Sequence, residues 1–87
     1  SNIGKYCIIN TASSIDHECI LENGVHVGPG AILCGNVSVG QNSFIGANSI
    51  VKEGVKIGEN CIIGAGSVVL SDIKNNSYAY GVPAKEK

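Results

Sequence analysis

Methionine is absent from this chain of 87 residues, which opens on Ser1, so we expect it to be part of a longer polypeptide. No apolar run comes near the roughly 20 residues that a membrane-spanning helix requires. No secretory signal pattern precedes the first repeat either, so a soluble protein without a membrane partner is expected. Charge of one sign is also missing. Six basic residues against seven acidic ones leave a net charge of −1 and no basic stripe, which argues against nucleic acid as a partner. The four cysteines include no Cys-x-x-Cys pair and there are only two histidines. A zinc-type site wants three or more ligands, so no metal is expected.

What is present is a repeat. Steps of six from Ile3 meet Ile9, Ile15, Leu21, Val27, Leu33, Val39, Ile45, Val51, Ile57, Ile63 and Val69 without a slip. Four residues after each stands a small or compact side chain, from Cys7, Ser13 and Cys19 through to Cys61, Ser67 and Ile73. Two inward columns follow. A strict period of six does not track the 3.6-residue stripe of an amphipathic helix. It belongs to β-helices, whose coils bury against their neighbours what none buries alone. Three hexads per coil predict an all-β prism of about four three-sided coils, roughly 19 Å tall at about 4.8 Å between strands. A lone core of this size would be marginal, so repetition or oligomerisation must contribute.

The corners test this reading. Three residues after successive aliphatic positions come Gly24, Gly30, Asn36, Asn42, Asn48, Gly54, Asn60 and Gly66, the residue types that tolerate positive φ. In the three preceding hexads Tyr6, Ala12 and Glu18 hold that slot. After Val69 the period stops. Residues 71–77 read as a polar turn and Tyr78-Ala79-Tyr80 as a short extended segment. We divide the chain into a β-helix over 1–74 and a closing segment and tail over 75–87, with Lys85 and Lys87 as a solvated terminus.

Cys7, Cys19 and Cys61 fall on the inward small-residue column and read as core thiols. Cys7 and Cys61 lie three coils apart, roughly 14 Å by the strand spacing, whereas a disulfide needs Cα atoms within about 7 Å. Free buried thiols without a secretion signal predict a reducing, cytoplasmic setting. Cys34 lies outside both columns and takes no role.

Units such as Ile45-Gly46-Ala47-Asn48-Ser49-Ile50 and Ile63-Gly64-Ala65-Gly66-Ser67-Val68 resemble those of the left-handed parallel β-helix acyltransferases, over nearly the whole chain. The hand comes from that resemblance, because general rules disfavour left-handed parallel crossovers. The ending Gly81-Val82-Pro83-Ala84-Lys85 is similar to the usual close of these enzymes, where the tail lies near the distal half of coenzyme A. The γ-class carbonic anhydrases share the fold but bind zinc through histidines, which matches this chain poorly. An ice- or surface-binding β-helix would repeat one outward residue, often Thr, and only Thr11 is present.

The hexad that keeps the repeat while breaking its turn chemistry is Ile15-Asp16-His17-Glu18-Cys19-Ile20. His17 sits off both inward columns and projects outward, and imidazole titrates in the range a general base needs. Glu18, or failing that Asp16, would orient the ring and stabilise its protonated form. A Glu at a positive-φ corner carries a conformational cost that structures tolerate at functional sites. From these residues alone, a surface histidine with incidental acidic neighbours fits equally well.

The segment from Asn10 to Cys19 resembles the catalytic segment of the sugar O- and N-acetyltransferases of the sialic acid and bacillosamine pathways. That resemblance implies transfer of acetyl from acetyl-CoA to a sugar amine or hydroxyl, with His17 as base and Glu18 tuning it. It also implies that His26 contacts acetyl-CoA and that Ala47 and Ala65 fall where backbone groups bind the pantetheine arm. Gly35, on the acetyl-CoA side, and Asn10, on the substrate side, are candidates by position. A homotrimer is implied as well. Alternatives are a serine or simple-sugar acetyltransferase of the same fold, and a non-catalytic trimeric β-helix module. Independently, His17 and His26 are half an eighteen-residue coil apart, which at about 3.3 Å per residue puts them more than about 10 Å from each other. A site using both would draw them from neighbouring subunits, most simply in a closed cyclic trimer.

Overall fold

The computed structural model describes residues 1–86; Lys87, half of the expected solvated terminus, lies outside the described residues. Two-residue strands, one per hexad, stack into three parallel ladders. The first holds β1 (Asn2–Ile3), β4 (Ile20–Leu21), β7 (Ser38–Val39) and β10 (Lys56–Ile57). The second holds β2 (Ile8–Ile9), β5 (His26–Val27), β8 (Phe44–Ile45) and β11 (Ile62–Ile63). The third holds β3 (Ser14–Ile15), β6 (Ile32–Leu33), β9 (Ile50–Val51) and β12 (Val68–Val69). Together they form the expected left-handed parallel β-helix of about four coils. Among the described residues no helix is long and apolar enough to cross a membrane.

Through β12 each strand residue pairs with the one eighteen positions on, as in Ile20↔Ser38 and Leu21↔Val39. The bonds run both ways. Asn2 N–H donates to the Cys19 carbonyl of the coil above at 2.9 Å and Gly4 N–H to that of Leu21 at 2.7 Å. The alternate strand residues face the coil below as a parallel ladder requires, and corners also send bonds down, as Gly24 does to Lys5 at 2.9 Å. Strands this short survive only because stacking satisfies their polar groups on both sides.

The aliphatic column fills the prism, and Leu21, Leu33, Ile45, Ile63 and Val69 are buried. The first coil differs, leaving Ile3 50% and Ile9 40% exposed. The small-residue column lies at the corners and binds its own polar atoms. Ser49 and Ser67 both donate to the Gly64 carbonyl, at 3.0 and 2.7 Å, and the Cys19 thiol donates to the Cys34 carbonyl at 3.2 Å. All four cysteines are free.

Two expectations change. The repeat ends in sequence after Val69, yet the winding continues. Ile73 bridges to Ile57 and Tyr78 pairs with Ile62, a step of sixteen residues in place of eighteen, and Ile73 is buried. The coil loses two residues between β12 and Ile73 without losing its stacking. β13 (Tyr78–Gly81) then extends the second ladder and turns back into the antiparallel β14 (Ala84–Glu86). Second, the Glu18 corner is not exceptional. Tyr6, Ala12 and Glu18 take φ of 61°, 58° and 57°, matching the asparagine corners at 55–60° from Asn36 to Asn60. The stack imposes the left-handed conformation whether or not the side chain suits it, so Glu18 carries no strain that its two predecessors lack.

A Cβ in the left-handed region costs roughly 1–2 kcal/mol, which glycine avoids, although it loses more entropy on folding. Ala12→Gly is therefore expected to raise stability by about 1 kcal/mol in chemical denaturation. A loss of stability would show that the first-coil corner is not held at positive φ.

Candidate functional site

His17 and Glu18 form the corner between β3 and β4. The corner opens with a local closure, in which Asp16 Oδ1 accepts the backbone N–H of His17 at 2.7 Å. The same oxygen lies 3.0 Å from His17 Nδ1. Asp16 itself is fixed by its N–H, which donates to the Leu33 carbonyl at 2.9 Å. With Nδ1–H donating to the carboxylate, Nε2 is left as the acceptor, the arrangement a general base requires.

The carboxylate on the ring is thus Asp16 and not Glu18, the one favoured from sequence. The reason is the turn: a side chain one residue before the corner can fold back over the following N–H, as Asn10 also does to Thr11 at 2.7 Å. The hydrogen bond from Asp16 and its charge raise the imidazole above its ordinary value, with smaller contributions from the charges of Glu18 and Glu53. The same hydrogen bond holds the Asp16 carboxyl below the usual range. Both side chains are 60% exposed, so the pair is a device for orientation and basicity more than for stability. Glu18 instead borders an open depression of about 390 Å³ with Ser1, Asn2, Cys19, Ile20 and Asn36.

Gly35 stands one coil above His17 and is buried against its imidazole. The structure therefore brings Asp16, His17 and Gly35 together. His26 lies apart, on the outer side of β5, where its half-buried ring meets Phe44 edge-on at a centroid distance of 4.9 Å. Ala47 and Ala65 stack at a different corner, between the second and third ladders, with the Ala47 carbonyl accepting from Gly66 at 2.8 Å. Glycine precedes each of them, so no side chain closes onto the amide as it does at Thr11 and His17. Among the described residues, the N–H groups of Gly35, Ala47 and Ala65 have no protein acceptor. The side-chain oxygen of Asn10 is taken up by Thr11, leaving its amide nitrogen as the free group. No cluster of three or more potential metal ligands occurs among the described residues.

Sequence reasoning missed the position of Gly35 over the ring, although the eighteen-residue period carries the signal. It also left Glu53 out, two coils above His17.

A family model described as the hexapeptide repeat of succinyl-transferase matches residues 36–71. The chain is a hexapeptide-repeat left-handed β-helix. This hexapeptide-repeat chain is 46% identical to a variant of the perosamine N-acetyltransferase from Caulobacter crescentus, solved in complex with CoA and GDP-perosamine. The TM-score is 0.97, covering 98% of this chain and 40% of that one. The acetyltransferase domain of PglB from Neisseria gonorrhoeae, solved with acetyl coenzyme A, is 38% identical at a TM-score of 0.92, over 93% of this chain and 40% of that one. A serine acetyltransferase in complex with CoA is 29% identical at a TM-score of 0.93, over 99% and 38% of the two chains. The chain thus spans about two fifths of the length of these structures.

The Asp16 contact has a measurable signature. In a histidine NMR titration, His17 is expected to lose its proton above the ordinary imidazole value of about 6.5. Asp16→Asn removes the charged acceptor and lowers that midpoint, while Glu18→Gln lowers it less. The reverse order would return the orienting role to Glu18.

Proposed function

We propose that this chain is the acyl-transfer part of an acetyl-CoA-dependent acetyltransferase acting on an amine or hydroxyl of a sugar, nucleotide-linked or of the sialic acid type. The observation that carries the reading is the Asp16–His17 pair, with Nε2 left free at an exposed corner of a hexapeptide β-helix. The structural relatives solved with CoA and GDP-perosamine, and with acetyl coenzyme A, support it.

In this reading His17 Nε2 takes the proton of the acceptor nitrogen or oxygen as that atom attacks the thioester carbonyl carbon. Asp16 stabilises the imidazolium that results. The N–H of Gly35 is at hand for the oxygen that gains negative charge. When the carbon–sulfur bond breaks, the proton on Nε2 passes to the departing thiolate. No serine or cysteine nucleophile is needed. The unpaired N–H groups of Ala47 and Ala65 suit the amide carbonyls of a pantetheine arm, His26 lies on the acetyl-CoA side, and Asn10 faces the acceptor.

His17 and His26 occupy a corner and a sheet face of one prism, so a site using both takes them from two subunits of a trimer. The outer column of the second ladder supports such an assembly. Ile8, Phe44, Ile62 and Tyr78 line up with His26 there and stay largely exposed in the single chain. Free thiols at all four cysteines suit a cytoplasmic setting. The likeness to the serine acetyltransferase favours a second reading, with serine as acceptor.

General-base assistance is worth roughly 10²–10⁴ in rate. In a CoA-release assay with amino sugars, sialic acid and serine as acceptors, His17→Ala is expected to lose turnover by that factor while acetyl-CoA binding persists. Near-normal turnover refutes the base, and absence of acetyl-CoA binding to the wild type points to a non-catalytic module. Sedimentation of the active protein should give a trimer; an active monomer excludes the shared site.

A further inference from the structure

Most glycines of this chain answer to the scaffold. They either hold a positive-φ corner or sit where a Cβ would strike the backbone of the next coil, as at Gly46, where it would lie 2.6 Å from Ala65 N. Gly35 does neither. Its φ is not in the left-handed region, and the nearest atoms a Cβ would meet all belong to one side chain. They are His17 Cε1 at 2.5 Å, Nε2 at 2.7 Å and Nδ1 at 3.1 Å. The backbone conformation therefore accepts a Cβ at this position, and the imidazole is what stands in its way.

The ring could escape such a Cβ. His17 is 60% exposed, so it can rotate toward water at small cost to the fold. That rotation would carry Nε2 away from the corner and take Nδ1 off Asp16 Oδ1, now 3.0 Å distant. Whatever glycine contributes at 35 is therefore expressed in the placement of the ring and not in the stability of the stack.

We infer that Gly35 is a positioning residue, whose missing side chain forms the seat that holds the His17 imidazole against Asp16 with Nε2 aimed at the reacting atoms. This deepens the proposed function and rests on it. A role for the Gly35 amide toward the thioester oxygen is separate, since alanine keeps that N–H and lacks only the seat.

The test is Gly35→Ala in the complete protein, alone and combined with His17→Ala. A displacement of about 1 Å in a catalytic group can cost about 10²-fold. Turnover is expected to fall about 10- to 100-fold, with KM for acetyl-CoA and the unfolding midpoint unchanged. Added to His17→Ala, the same substitution should cost nothing further. His17 should also titrate lower in Gly35→Ala than in the wild type, because the Asp16 contact is lost while Glu18 and Glu53 remain. Normal turnover in Gly35→Ala, or an equal loss in both backgrounds, overturns the inference; the second result would make Gly35 a contact of the acyl donor itself. The two proposals fail differently. If His17→Ala keeps full activity the general base is wrong, whereas the NMR midpoint of His17 in Gly35→Ala still decides whether the seat exists. An unchanged midpoint means that it does not.

Discussion

Everything in this molecule hangs on the amide ladder that places each residue above the one eighteen positions earlier. A strand of two residues has almost no structure of its own, and a coil has no core until another lies on it. Once the register is set, the aliphatic column meets itself at the axis and the corners fall in vertical files. Registry also explains why poor corner residues are tolerated. Tyr6, Ala12 and Glu18 are held at positive φ by the coil above, which supplies more than the local preference costs.

The chemistry uses the same register without being part of the repeat. Asp16 stands at a hexad position that is Gly in five later hexads, Gly28, Gly40, Gly46, Gly58 and Gly64, and its carboxylate serves both the turn and the imidazole. One oxygen closes the corner backbone and selects the tautomer of the ring. The scaffold then supplies a gap one coil higher, at Gly35, in the only file that contains the histidine.

Much of this was legible in the residues. Both inward columns, the coil number and the corner file from Gly24 to Gly66 follow from a period of six, because core and turn chemistry agree on it. The period did not reveal which carboxylate faces His17. Asp16 and Glu18 flank it symmetrically in sequence, and only the turn distinguishes a side chain that precedes the corner from one within it. The continuation past Val69 was hidden for another reason. A two-residue shortening breaks the sequence period at once, but a corner can absorb it, so Ile73 still reaches the core. Gly35 was named as a site residue from its position, while its contact with the ring needed the vertical file and not the linear motif.

The two ends of the prism differ in what they leave open. Backbone groups alternate in direction along each parallel strand, so the N–H and C=O of Ile3, Ile9 and Ile15 face away from the coil above and have no partner among the described residues. The lower rim presents backbone donors and acceptors beside the exposed side chains of Ile3 and Ile9, whereas at the upper end β14 pairs with the edge of the second ladder. The two ends are therefore not interchangeable. A segment that meets the lower rim would bring both donors and acceptors in matching parallel register, and since the Asp16–His17 corner lies in that first coil, the same contact would bear directly on the placement of the imidazole.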